Sequence, residues 1–174
     1  FSSRGSRLIK FDHARALFER LLETITVFLI ISLAVVVVLG VIYRWSGSSL
    51  SWYDEIASVQ LAWLTYYGAS LAALKRAHIG VPNLITVVPP LFRVPLVLLA
   101  EAVVIGFFLI LAWYGYIVLV VLEGDTLISL PWISTQVTQS VIPIGAVLFI
   151  IAELLNMPQI MREASAHAEM MRHE

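Results

Sequence analysis

The chain has no cysteine. That excludes a disulfide framework, a thiolate metal site and a cysteine nucleophile, and it leaves the redox compartment unread. Charge is scarce as well: 13% of the 174 residues are Asp, Glu, Lys or Arg, against about 25% in soluble domains. The formal net charge of −1 disfavours nucleic acid as a partner. Three of the four histidines, His13, His167 and His173, fall outside the apolar runs, and His78 sits at a boundary. An intramembrane di-haem site, which needs axial ligands within the membrane, is therefore excluded. No Ser/His pair, paired intramembrane Asp, zinc motif or phosphate loop appears. The chain reads as non-enzymatic, without cofactor or metal.

What is present is apolar. Hydrophobic residues make up 60% of the chain, and the mean hydropathy is +0.90. A small soluble domain must keep its outside polar, so the excess cannot be a larger core. The solvent is lipid, and the expected fold is an all-α membrane protein with four transmembrane helices.

In chain order, Leu8, Phe11, Ala14, Phe18 and Leu21 recur at helical spacing, while Arg7, Lys10, Arg15 and Glu19 largely occupy other faces. This predicts an amphipathic interfacial helix over about 7–21, basic side toward anionic headgroups. Four apolar runs follow, at about 22–43, 54–74, 94–122 and 137–157, each long enough for a span of roughly 20 residues. Tyr43, Arg44 and Trp45 close the first as an interface anchor. Asp54 and Glu55 open the second, where carboxylates favour the positive end of the helix dipole; Arg44 is their expected ion-pair partner. Gly68, Ala69, Ala72 and Ala73 form a small-residue face. Between runs two and three, Gly80, Pro82, Pro89, Pro90 and Pro95 forbid one continuous helix, and a short interfacial helix over 82–88 is expected; the other reading is a re-entrant hairpin. The tail, 158–174, is polar. The chain starts at Phe1 rather than Met, so a few residues are expected to precede it. No cleavable signal peptide is evident.

Orientation follows from the basic residues. With both termini in the cytoplasm, that side holds Arg4, Arg7, Lys10, Arg15, Arg20, Lys75, Arg76, Arg93, Arg162 and Arg172, and only Arg44 faces outward. Ionisable residues within spans are functional candidates by default. The plain reading of Asp54 and Glu55 is a helix start. Glu101 reads as a contact to Lys75, Arg76, Arg93 or a partner subunit, the sharper alternative being proton or ion coupling. Substrate-binding transporters typically carry inverted repeats with broken helices; none is visible, so a subunit packed beside a carrier is favoured over a lone carrier.

Several short motifs occur in order. Trp52, Asp54 and Glu55 precede Trp63, then Tyr67–Gly68–Ala69, then Lys75 to Val81 (KRAHIGV); Leu130–Pro131–Trp132 precede Pro143–Ile144–Gly145. Together they resemble the small membrane subunit of tripartite ATP-independent periplasmic (TRAP) transporters, the DctQ-like family, over roughly 20–157. The resemblance implies a bacterial inner-membrane protein without cofactor, partnered by a large elevator-type subunit that uses a sodium gradient. It implies a second partner, a soluble periplasmic protein that delivers an organic acid such as a dicarboxylate or sialic acid. The small subunit would then be a scaffold that helps dock the binding protein. On that reading the outer docking residues are Arg44, Ser49, Trp52, Asp54, Glu55, Glu123, Asp125 and Trp132. The large-subunit interface is Trp63, Tyr67, Gly68, Ala72, Glu101 and Trp113. Arg7, Lys10, Arg15, Lys75 and Arg76 meet the membrane surface. For the aromatics the plain reading is a lipid-facing belt. Two other classes compete: a self-contained four-span exporter, disfavoured because Glu23 lies at the edge of the first run rather than within it, and a haem-free membrane anchor of an enzyme complex.

Overall fold

The computed structural model describes the backbone of residues 2–75 and 90–170, and the side chains of 13–75 and 95–158. The expected interfacial helix at 82–88 and Arg76 lie outside the described residues, as do the side chains of Arg7 and Lys10. The described chain is helical and contains no strand, only one isolated bridge between Thr126 and Ser134.

Helix α1 spans Ser2–Trp45 without interruption. The sequence reading divides this stretch near residue 21 into an interfacial helix and a span. The structure joins them, because no glycine or proline occurs from Ser6 to Leu39 to break the hydrogen-bond ladder. The helix ends where Gly47 adopts φ 84°. Ser48 N–H donates to Tyr43 C=O (3.1 Å) and Gly47 N–H to Arg44 C=O (3.3 Å), the paired bonds of a Schellman stop. Helix α2, Tyr53–Leu74, begins with Asp54 and Glu55 in its first turn, within one residue of the expected 54–74. Helix α3 covers Pro90–Val121 and accommodates Pro95 near its start. Helix α4 is a short piece, Thr135–Gln139, capped by Ser134 Oγ, which accepts from Gln136 N–H at 3.2 Å. Helix α5, Val141–Met170, continues through Pro158 into the expected tail. The expected fourth span is thus divided at Ser140. Pro143, three residues on, has no N–H to offer the preceding turn.

Among the described residues, three stretches are long and apolar enough to cross a membrane: His13–Trp45, Pro95–Val121 and Thr135–Pro158. Helix α2 is not among them, since Gln60, Trp63, Thr65, Tyr66, Tyr67 and Ser70 dilute its apolar content.

The long helices form a row rather than a closed bundle. Helix α1 packs on α2, α2 on α5, and α5 on α3. The buried core lies toward the end of the row that carries Lys75: Leu22 of α1, Ala73 and Leu74 of α2, and Phe149 and Ala152 of α5. Phe108 of α3 stacks on Phe149 with centroids 3.8 Å apart. The flanking helices α1 and α3 leave most of their large apolar side chains exposed, as a lipid solvent allows.

Candidate functional site

At the end of the row where α1 stops and α2 starts, residues 122–134 fold into a compact loop. Leu127 N–H donates to Ile133 C=O (3.0 Å), Ile133 N–H to Leu130 C=O (2.9 Å) and Thr135 N–H to Asp125 C=O (2.9 Å). Gln136 Nε2 ties the loop to Leu119 C=O of α3 at 2.8 Å. Leu130 is buried beneath it. Two adjacent amides then point at the start of α2, and the Glu55 carboxylate accepts both. Ile128 N–H meets Oε1 at 3.2 Å and Ser129 N–H meets Oε2 at 2.9 Å. Ser129 Oγ adds a bond to Ser51 C=O at 3.0 Å. Hydrogen bonds to an ionised acceptor are about twice as strong as neutral ones, so Glu55 clamps the loop to α2.

The expected ion pair of Arg44 with Asp54 or Glu55 does not form among the described residues; Arg44 and Asp54 are both exposed. The physical reason is the alternative open to Glu55. A solvent-exposed ion pair contributes about 0–1 kcal/mol after side-chain entropy, whereas two N–H groups held in a folded loop are already positioned for a carboxylate.

The seam between α2 and α5 is built by close approach. A Cβ on Gly145 would lie 2.6 Å from Tyr66 Cβ. Ser70 Oγ donates to Gly145 C=O at 3.3 Å, and Asn156 Nδ2 to Ala73 C=O at 2.7 Å. Trp63 Nε1 donates to Thr138 C=O at 2.9 Å, beside the α4–α5 junction. Between α1 and α2, Gln60 Nε2 donates to Ser32 Oγ. At the opposite end Lys75 pairs with Glu23 and, at 3.7 Å, with Glu19. The bond to Glu23 pushes the Lys75 ammonium above the ordinary lysine range. Arg15 Nη2 donates to Leu74 C=O at 3.2 Å, satisfying a carbonyl at the end of α2.

A sequence profile described as "Tripartite ATP-independent periplasmic transporters, DctQ component" matches residues 33–163. The chain belongs to the DctQ family. No individual curated protein matches it. The match makes the chain a component of a TRAP transporter, and with the apolar helices it marks a multi-pass membrane protein.

The expected site residues of this DctQ chain fall into distinct places. Ser49, Asp54, Glu123, Asp125 and Trp132 are exposed at the loop end, and Trp52 is half-buried there. Trp63 and Tyr67, with centroids 6.2 Å apart, are half-buried and make contacts within the chain: Trp63 bonds to Thr138 of α4 and Tyr67 packs on the core. Gly68 is open, with nothing within 4 Å of an added Cβ. Ala72 and Glu101 are half-buried, and Trp113 is exposed. Among the membrane-surface group, Lys75 and Arg15 make the bonds just described. Sequence reasoning missed Ser51, Ile128, Ser129 and Gly145 as structural partners; an aromatic on one helix and a glycine on another give no local sign that they meet.

Trp63→Phe keeps the ring and removes the N–H. We expect it to cost about 1 kcal/mol, the scale of one interhelical hydrogen bond in a membrane, read as a modest fall in thermal midpoint in detergent. An unchanged midpoint would remove this bond from the seam.

Proposed function

We propose that this DctQ chain crosses the inner membrane four times with both termini in the cytoplasm, and serves as the stationary scaffold of a sodium-driven transporter for organic acids such as sialic acid or a dicarboxylate. On this reading it braces the large elevator-type subunit, and its outer loop helps dock the soluble substrate-binding protein. The family match is the observation that carries the proposal.

Physical features support the four crossings, the orientation and the scaffold role. Helix α2 has 22 residues, enough for a hydrocarbon core of about 30 Å, and it lies between α1 and α5. Polar groups on its inner faces, Gln60, Trp63 and Ser70, bond to neighbours within the row, which is how polar groups are tolerated in lipid. The end that carries Lys75, Arg15 and Arg20 would be cytoplasmic by the excess of basic residues there. The other end, with Asp54, Glu123 and Asp125, would be periplasmic. A row leaves broad faces for a partner. One is the α5 stripe of Ile144, Val147, Ile151 and Leu154, where Pro143, Ile144, Val147 and Leu148 line a shallow apolar groove. Another is the α2 stripe of Leu61, Thr65 and the open Gly68.

Omitting components from proteoliposomes tests the proposal. Uptake of a labelled organic acid should require this chain, the large subunit, the binding protein and an inward sodium gradient. Transport by this chain alone would replace the proposal with the self-contained exporter.

A further inference from the structure

We infer that Ile128 is an apolar knob that seats the soluble binding protein, entering a socket on that partner with an apolar floor and a basic rim. The inference rests on the proposed reading of this end as the docking end, and it names the residue and the chemistry that the reading leaves open.

Three observations converge on Ile128. First, it is 92% exposed, although its backbone is tied to α2. Its own N–H and that of Ser129 are fixed by Glu55, Ser129 Oγ is fixed on Ser51 C=O, and the neighbouring Leu127 is bonded to Ile133. A large apolar side chain on a loop held this tightly is preorganised, so binding it costs little further ordering. Second, Leu130, two residues on, is turned inward and buried at 7% exposure. The loop therefore places one of its aliphatic side chains in the protein and leaves another outside. Third, the polar surroundings are acidic. Glu123 and Asp125 of the same loop and Asp54, next to the clamping Glu55, are all exposed, and residues 122–134 contain no Lys or Arg.

The acidic rim weighs against the membrane surface as the occupant. Segments that bind membrane surfaces carry Lys and Arg against anionic headgroups; a loop with carboxylates and no cation lacks that attraction. A protein surface bearing Lys or Arg around an apolar depression is complementary to it in both charge and shape. A charged rim sets encounter rate and its salt dependence, while a desolvated central side chain sets residence.

The test uses the complete transporter in proteoliposomes, with uptake measured against the concentration of its soluble binding protein. Ile128→Asp is expected to raise the apparent KM for the binding protein by at least about tenfold, with the rate approaching that of the wild type at saturating binding protein. Ile128→Ala should give a smaller rise in the same direction. Its single exposed truncation leaves the loop's backbone bonds in place, so it decides the matter should the aspartate variant assemble poorly. The double variant Glu123→Lys, Asp125→Lys should raise KM and reduce its dependence on ionic strength. An unchanged KM in both Ile128 variants, or a lowered maximal rate at unchanged KM, overturns the knob while leaving the docking reading in place. Wild-type uptake indifferent to the binding protein overturns the docking reading, and the knob with it.

Discussion

Replacing Gly145 with leucine is expected to lower the thermal stability of the detergent-solubilised protein sharply. A Cβ at this position would lie 2.6 Å from Tyr66 Cβ and 2.8 Å from its Cδ1. Tyr66 Cβ is fixed to the α2 backbone, so no rotamer change relieves the contact and α2 must move away from α5. That displacement loosens three bonds: Ser70 to Gly145 and Asn156 to Ala73 along the α2–α5 seam, and Trp63 to Thr138 of the adjoining α4. Asn156 is 1% exposed, so its amide would lose its partner where water does not reach. Overpacking alone costs about 1–3 kcal/mol, and each interhelical bond adds roughly 0.6–1 kcal/mol. The sum, roughly 3–6 kcal/mol, is a large part of a typical stability of about 5–15 kcal/mol. A fall of roughly 10 °C in the midpoint of a thermal size-exclusion assay is the expected reading. Gly68→Leu is the control: with nothing within 4 Å, it should leave the midpoint within about 2 °C of wild type. Equal effects from the two substitutions would show that the seam does not run through Gly145.

Glu55→Ala is expected to free the outer loop while leaving the helices assembled. The substitution removes the acceptor of two adjacent backbone N–H groups. Bonds to a charged group contribute about 1.5–3 kcal/mol each when shielded, and less here, because Glu55 and Ser129 are only half-buried and Ile128 is exposed. Amide exchange at Ile128 and Ser129 should accelerate by at least about tenfold, with little change in the core around Leu22, Leu74 and Phe149. Glu55→Gln, which keeps one good acceptor, should fall between. If Ile128 carries docking as inferred, Glu55→Ala should also raise the apparent KM for the binding protein. Unaltered exchange at both amides would mean that the loop holds itself and needs no clamp from α2.

How far these features are readable from the sequence differs by element. The limits of α2 are readable to within a residue, because the acidic pair at 54–55 and the basic exit at Lys75 bracket a stretch with no proline and no run of polar residues. The resemblance to DctQ subunits was likewise readable, because short motifs kept their order and spacing. The junction at residue 21 is not a break in the helix, because a change from amphipathic to wholly apolar pattern alters the solvent of a helix without interrupting it. Glu55 was located correctly and given the wrong partner. Arg44 is near in sequence and opposite in charge, whereas the true partners are backbone amides more than seventy positions away, which periodicity cannot reveal. Trp63 and Tyr67 have partners within the row, Thr138 and the core, that their sequence spacing does not show. Gly145 was visible only as part of a motif. Its physical role depends on Tyr66 crossing it, a fact of tertiary packing.

The most direct test of the scaffold role is co-purification. The chain would be tagged, expressed with the large membrane subunit of its transporter, and extracted in mild detergent. A stoichiometric complex with that subunit is expected, retained by the Ile128 and Trp63→Phe variants. A chain that purifies alone as a homodimer, with the large subunit absent and cation export of its own, would contradict the scaffold role and favour the self-contained exporter.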